Sequence, residues 1–147
     1  MTTLAADSPR DYQLGDLGDF PVIAADIIYE GAAVGENGSG YSRPLQAGDA
    51  FQGFCLETAD NSAGSAGDIN VHVRRRGRIV LPIAAIAITA NDHPPVYASD
   101  DDTFTLTRGS NSFIGVVSHW VSTGEAVVAF DADMAAVHES AVALGTA

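Results

Sequence analysis

The 147-residue chain contains no lysine, and its only basic residues are seven arginines set against nineteen acids. The formal net charge is −12 at neutral pH. A broad basic footprint for phosphate backbones is therefore excluded, so the sequence predicts no direct contact with nucleic acid. A single cysteine, Cys55, rules out an internal disulfide and any zinc site built from several thiolates. It sits in the apolar run Phe51–Leu56, which suits a small buried hydrophobe better than a reactive thiol. No apolar run approaches the ~18 residues needed to cross a bilayer as a helix, and the longest, Ile79–Ile88, is broken by Pro82. The opening MTTLAADSPRDYQ lacks a basic patch followed by an apolar segment, so no secretory signal is expected. Partners in a membrane are accordingly not expected.

Catalytic signatures are missing as well. The four histidines, His72, His93, His119 and His138, form neither a His-x-x-x-His pair nor an HExxH helix. No GxSxG, phosphate-binding loop or dinucleotide fingerprint occurs. Asp100-Asp-Asp102 lacks the alternating ligands, central glycine and distal glutamate of a calcium loop, and reads as a solvated turn. The expectation is a non-enzyme with no catalytic residue, no metal and no cofactor.

What the chain does have is short β-branched and aromatic runs separated by turn residues, the pattern of a small mainly-β domain. The stretch 91–130 is the clearest case. Val96–Ala98, Thr103–Thr107, Phe113–Val117 and Ala126–Phe130 read as strands, with turns at Asn91–Pro95, Ser99–Asp102, Arg108–Ser112 and Ser122–Glu125. Asp68–Arg76 alternates with period two, Ile69, Val71 and Val73 facing one way and Asn70, His72 and Arg74 the other. Phe51–Thr58 is a further strand, and Asn37-Gly38 favours a tight hairpin between Ala32–Gly35 and Tyr41–Pro44. Val22–Tyr29 reads as a strand buried on both faces, with a short helix left open by its alanines. Ala59–Gly67 reads as a mobile polar loop, and Ile83–Thr89 as a short helix or irregular wall. The expected organisation is a flexible N-terminal arm over residues 1–20, a β-rich domain over 21–131, and a tail over 132–147. That tail can form a short helix capped by Asp131 or Asp133, with Met134, Val137, Ala141 and Leu144 at helical spacing.

Two features point to contacts. The arm spaces apolar residues among acids, at Leu4, Tyr12, Leu14, Leu17 and Phe20, and cannot bury enough surface to order by itself. It is either a frayed terminus or a segment that orders on a partner. Arg74, Arg75, Arg76 and Arg78 form the one basic cluster, either paired internally or placed at a contact with an acidic protein surface.

The order of these features resembles the small capsid cement, or head decoration, proteins of tailed bacteriophages. The residues that carry the resemblance are Glu30-Gly-Ala-Ala-Val34, Leu45-Gln-Ala-Gly-Asp49, Phe51-Gln-Gly-Phe54 and Gly67-Asp-Ile-Asn-Val71. They continue with Arg76-Gly77, Pro95-Val-Tyr97, Asp102-Thr-Phe-Thr-Leu106, Phe113-Ile-Gly-Val-Val117 and Gly124-Glu-Ala-Val-Val128. The likeness spans roughly residues 22–130 and leaves out the arm and the tail. Asn91-Asp92 followed by two prolines replaces the Gly-Asp pattern before the Pro-Val-Tyr strand.

The resemblance implies a small β-barrel or tulip-like domain on the outer surface of a virion, binding the major capsid protein as a homo-trimer and stabilising the shell. Within that reading, the sequence features above put the expected capsid contact on the arm residues Leu4, Tyr12, Leu14, Leu17 and Phe20, and the expected subunit contact near Arg74, Arg75, Arg76 and Arg78. A second expectation is a carbohydrate- or host-surface-binding β module of a virion, with Trp120, Tyr97 and Tyr41 stacking on sugars. A hydrolase with a site assembled only by folding is the third.

Overall fold

A computed structural model describes residues 5–146, with side chains through residue 144. The chain is mainly β, with three antiparallel sheets and one short α-helix. The strands are β1 (Leu17–Pro21), β2 (Asp26–Ile28), β3 (Ala33–Glu36), β4 (Ser42–Pro44), β5 (Ala50–Cys55) and β6 (Ala59–Asn61). They continue with β7 (Asn70–Arg74), β8 (Arg76–Pro82), β9 (Pro95–Ala98), β10 (Phe104–Thr105), β11 (Ser112–Ser122) and β12 (Glu125–Asp131), followed by helix α1 (Ala132–Ala141). The first sheet has the order β1-β7-β5-β3-β4, the second β10-β9-β11-β12-β8, and β2 pairs with β6 in a two-stranded ribbon. The strand ladders do not themselves close a barrel, but single bridges connect the two edges of each large sheet: Val22 after β1 meets Ser42 on β4, and Ile83 after β8 meets Phe104 on β10.

The first sheet is the middle layer. Neighbouring residues on its strands alternate between two cores: Ala33 and Phe54 face the second sheet, while Val34 and Cys55 face the ribbon. The larger core joins Phe51, Phe54, Phe104 and Phe130. Phe54 lies at the centre, with ring centroids 5.5 Å from Phe51, 6.0 Å from Phe104 and 4.9 Å from Phe130. The smaller core gathers Val22, Ile28, Val71 and Val73 under the ribbon. Val71 and Val73 are fully buried while Asn70, His72 and Arg74 are exposed, as their period-two spacing predicts.

Stretch 91–130 forms most of the second sheet. β11 is its spine, pairing with β9 on one side and β12 on the other, with register shifts near Gly115, Ser118 and Val121. The predicted strand Phe113–Val117 runs on to Ser122, because β12 continues to pair as far as Glu125.

Several expectations are corrected. Val22–Tyr29 is not one strand: Ala25 takes a left-handed φ of 58°, which turns the chain so that only Asp26–Ile28 is extended. Ala59–Gly67 is not all loop, since Ala59–Asn61 pairs with β2. Asn61 is buried there because its amide donates to the carbonyls of Ile23 at 2.8 Å and Ser65 at 2.9 Å. Ile83–Thr89, by contrast, follows one of its two expected courses, the irregular one, with Ala85 at φ 59° before a 3-10 turn over Ile88–Asp92.

The tail does form a helix, and the Asp131 carboxylate caps it by accepting from the amides of Asp133 and Met134. Its inward face is Ala132 and Ala135, not Met134 and Val137, which are 59% and 62% exposed. Ala132 and Ala135 join the larger core that includes Phe51 and Phe113, while Met134 and Val137 line an open furrow beside Val116. Finally, the folded body begins before Pro21. Leu17–Phe20 pairs residue by residue with Arg74–Val71, so the unpaired arm ends near Asp16.

Candidate interaction surface

The arm residues divide into two groups. Leu17 and Phe20 belong to β1, with Leu17 half exposed and Phe20 packed against the smaller core. The Arg75 guanidinium sits 5.2 Å from the Phe20 ring centroid, so that ring is already covered. Tyr12 and Leu14 lie outside any sheet and are 89% and 86% exposed. Leu4 lies outside the described residues. Two bonds hold the base of the arm to the body: the Arg75 amide donates to the Asp16 carbonyl at 2.8 Å, and Arg76 Nη2 donates to the Leu14 carbonyl at 2.8 Å.

The arginine cluster also divides. Arg75 is an internal clamp: besides covering Phe20, it donates to the Gln52 carbonyl at 3.1 Å and to Asp133 at 3.0 Å. It thereby ties β1, β5 and α1 together. Arg76 is engaged with the arm. Among the described residues the Arg74 and Arg78 guanidiniums have no polar partner, so the four do not act as one patch. Alternation separates them, since β7 and β8 belong to different sheets.

An arginine outside this cluster, with no signal in the sequence to mark it, is bound more tightly. Arg43 on β4 makes a two-pronged contact with Asp49, at 2.7 Å and 3.0 Å. That hydrogen-bonded carboxylate raises the Arg43 pKa. Asp49 lies so close to Gly35 that a Cβ there would stand 2.6 Å from its carboxylate oxygen, which is why glycine occupies that position.

His72 and Asp19 hold β1 to β7 through a contact between His72 Nδ1 and the Asp19 carboxylate, with both side chains more than half exposed. The Asp19 hydrogen bond and charge raise the His72 pKa. A raised histidine pKa contributes stability that is fully present below the unfolded value near 6.5 and fades as pH rises through the folded value. Hydrogen exchange, as protection factors, is therefore expected to show Leu17–Phe20 amides better protected at pH 5 than at pH 8. Asp19→Asn should remove that difference, and equal protection at both pH values in the unaltered protein would contradict the tie.

The other titratable groups do not converge. His93 Nδ1 lies 2.9 Å from the Val117 carbonyl, His119 is exposed, and His138 stacks on Phe113 with centroids 4.1 Å apart. Asp100 folds its carboxylate back onto the Asp102 amide and the Thr103 hydroxyl, the bonding of a turn. Burial and the Asp100 charge raise the Asp101 pKa. Burial likewise pushes the Cys55 thiol up, and its Sγ lies 3.0 Å from the Glu57 carbonyl. Among the described residues no group of three His, Cys, Asp or Glu side chains is placed to hold a metal ion.

An open cleft of about 630 Å³ lies between the 83–92 segment and β10, lined by alanines, threonines and Asp92. One carboxylate among threonine hydroxyls, with no second titratable side chain lining the cleft, gives no acid–base pair. The three aromatics considered for sugar stacking are dispersed in use: Tyr97 is buried against Phe113, and half-buried Trp120 donates its indole N–H to the Ile86 carbonyl at 3.2 Å. Tyr41 stands beside Gly67 in the loop between β3 and β4.

No protein-family model matches this chain, and no curated protein matches it either.

Proposed function

We propose that this chain is a structural, non-enzymatic virion protein that decorates the outside of a bacteriophage capsid, bridging major capsid protein subunits and bracing the shell. The observation that supports the reading is the arm. A rigid β body carries, next to its edge strand β1, an extended segment whose two large apolar residues, Tyr12 and Leu14, are almost fully exposed. An arm of this kind orders on a partner, seats its apolar residues in pockets, and adds its backbone to an exposed sheet edge. Many copies on one shell turn a modest single contact into firm binding. The acidic surface of the body suits a protein crowded at high local density. Binding in groups of three, at threefold positions, follows from the same resemblance.

The test is binding to purified expanded shells by the full chain and by a version lacking residues 1–14. The shortened chain should keep its denaturation midpoint to within the small loss of the Arg76–Leu14 bond, since residues 5–14 lie outside both cores. Its affinity should fall by roughly tenfold or more, the equivalent of ~1.4 kcal/mol, which is less than burial of one large apolar side chain provides. Unchanged binding would remove the arm from the contact.

A further inference from the structure

We infer that the outer face of the second sheet is a self-association surface, and that its occupant is a second copy of this chain related by a two-fold axis. The inference goes beyond shell binding and does not depend on it. On β8 and β12, Ile79, Leu81, Ala126 and Val128 point into the core or pack against it, so the alternate residues face out. Those outward residues stand in register: Arg78 opposite Ala129, Val80 opposite Val127, and Pro82 opposite Glu125. Val80 is 52% exposed and Val116, on the next strand, 37% exposed. An apolar furrow of about 420 Å³ continues this face between Val116 and the helix residue Val137.

Charge selects the occupant. A chain of net charge −12 repels its own copies over most of its surface. This face is different, because Arg78 and Glu125 flank the two valines and neither has a side-chain partner among the described residues of its own chain. A two-fold axis lying in the face along the Val80–Val127 row superposes the Arg78 row of one copy on the Pro82–Glu125 row of the other. Each Arg78 then meets the second copy's Glu125, since adjacent strands lie only ~4.8 Å apart and an arginine spans that offset. Two ion pairs thus frame a centre of four valines, the self-matching arrangement that a two-fold contact requires. On a shell bearing trimers at threefold positions, such a contact joins neighbouring trimers and leaves the arm free for the capsid.

The experiment is the molar mass of the purified full chain in solution, by light scattering after size exclusion and without shells. The unaltered protein should assemble in an even number of chains as concentration rises. Val80→Glu and Arg78→Glu should each halve that number, and Arg78→Glu combined with Glu125→Arg should restore it. Unchanged thermal midpoints identify the variants that fold normally. Val80→Cys supplies a second readout: the valine row lies on the axis and Cys55 is buried, so a short bismaleimide, which spans the ~10 Å between facing sheets, should link two chains. A mass that stays monomeric or trimeric at every concentration, a charge swap that fails to restore association, or no cross-link at Val80→Cys would overturn the inference. Loss of shell binding by Val80→Glu in a protein that never self-associates would assign the face to the capsid instead, and would leave the proposed function intact.

Discussion

Phe54→Ala is expected to lower stability by about 3–5 kcal/mol, the range for removing a buried aromatic ring from a core that relaxes only partly. Phe54 is 4% exposed and projects from the middle sheet into the larger core. Its ring makes edge contacts with Phe51 of its own strand and Phe130 of β12, and a tilted contact with Phe104 of β10. It therefore joins the two large sheets, and truncation leaves a void bounded by both. Urea unfolding of the variant beside Leu56→Ala, whose side chain is 41% exposed, measures the effect. The control should lose less than about 1 kcal/mol. A similarly small loss at Phe54 would mean that the sheets do not depend on this cluster.

Gly53→Ala should cost on the order of 3 kcal/mol through backbone geometry alone, combining left-handed strain with a direct overlap. Gly53 has φ 130° and pairs with Val34 at the register shift of β5 against β3, one residue before β5 also begins to pair with β7. A Cβ at that point would stand 2.3 Å from the Arg74 carbonyl oxygen and 3.2 Å from the Arg75 Cα. Both neighbours are backbone, and Arg75 is fixed by its bonds to Gln52 and Asp133, so neither can give way cheaply. Gly48→Ala separates the two causes. Gly48 also has positive φ, at 93°, but its nearest contact to a built Cβ is 3.7 Å, so about 1 kcal/mol is expected there. Equal losses at the two glycines, by denaturation midpoint, would show that conformation and not the close approach sets the cost.

The elements legible in the sequence were those whose side chains repeat a period. Val71 and Val73 against His72 and Arg74, and the apolar runs of 91–130, locate strands because burial on one face imposes alternation. The mainly-β architecture follows from those runs. Where tertiary contacts decide the conformation, the sequence was silent. Asn61 looks like a loop residue until its amide is seen binding two carbonyls, and the Ala24-Ala25 pair carries no turn signal although Ala25 turns the chain.

The helix shows the same limit in reverse. Met134 and Val137 recur at the right spacing for a core stripe, yet Ala132 and Ala135 are the helix residues that join the core. The candidate surface was legible in part. Tyr12 and Leu14 could be read as exposed apolar residues among acids, but Phe20 and Arg75 looked available and are in fact stacked on each other. Nothing in one linear sequence places Arg78 and Glu125 on opposite sides of a Val80–Val127 row, because that arrangement exists only in the register of β8 against β12.

The most direct test of the central claim is the copy number of this chain, relative to the major capsid protein, in purified virus particles by quantitative mass spectrometry. The account predicts a fixed simple ratio, near one copy per shell subunit or another small fraction of it, removed together with shell reinforcement when residues 1–14 are deleted. A few copies per particle, or none, would contradict it.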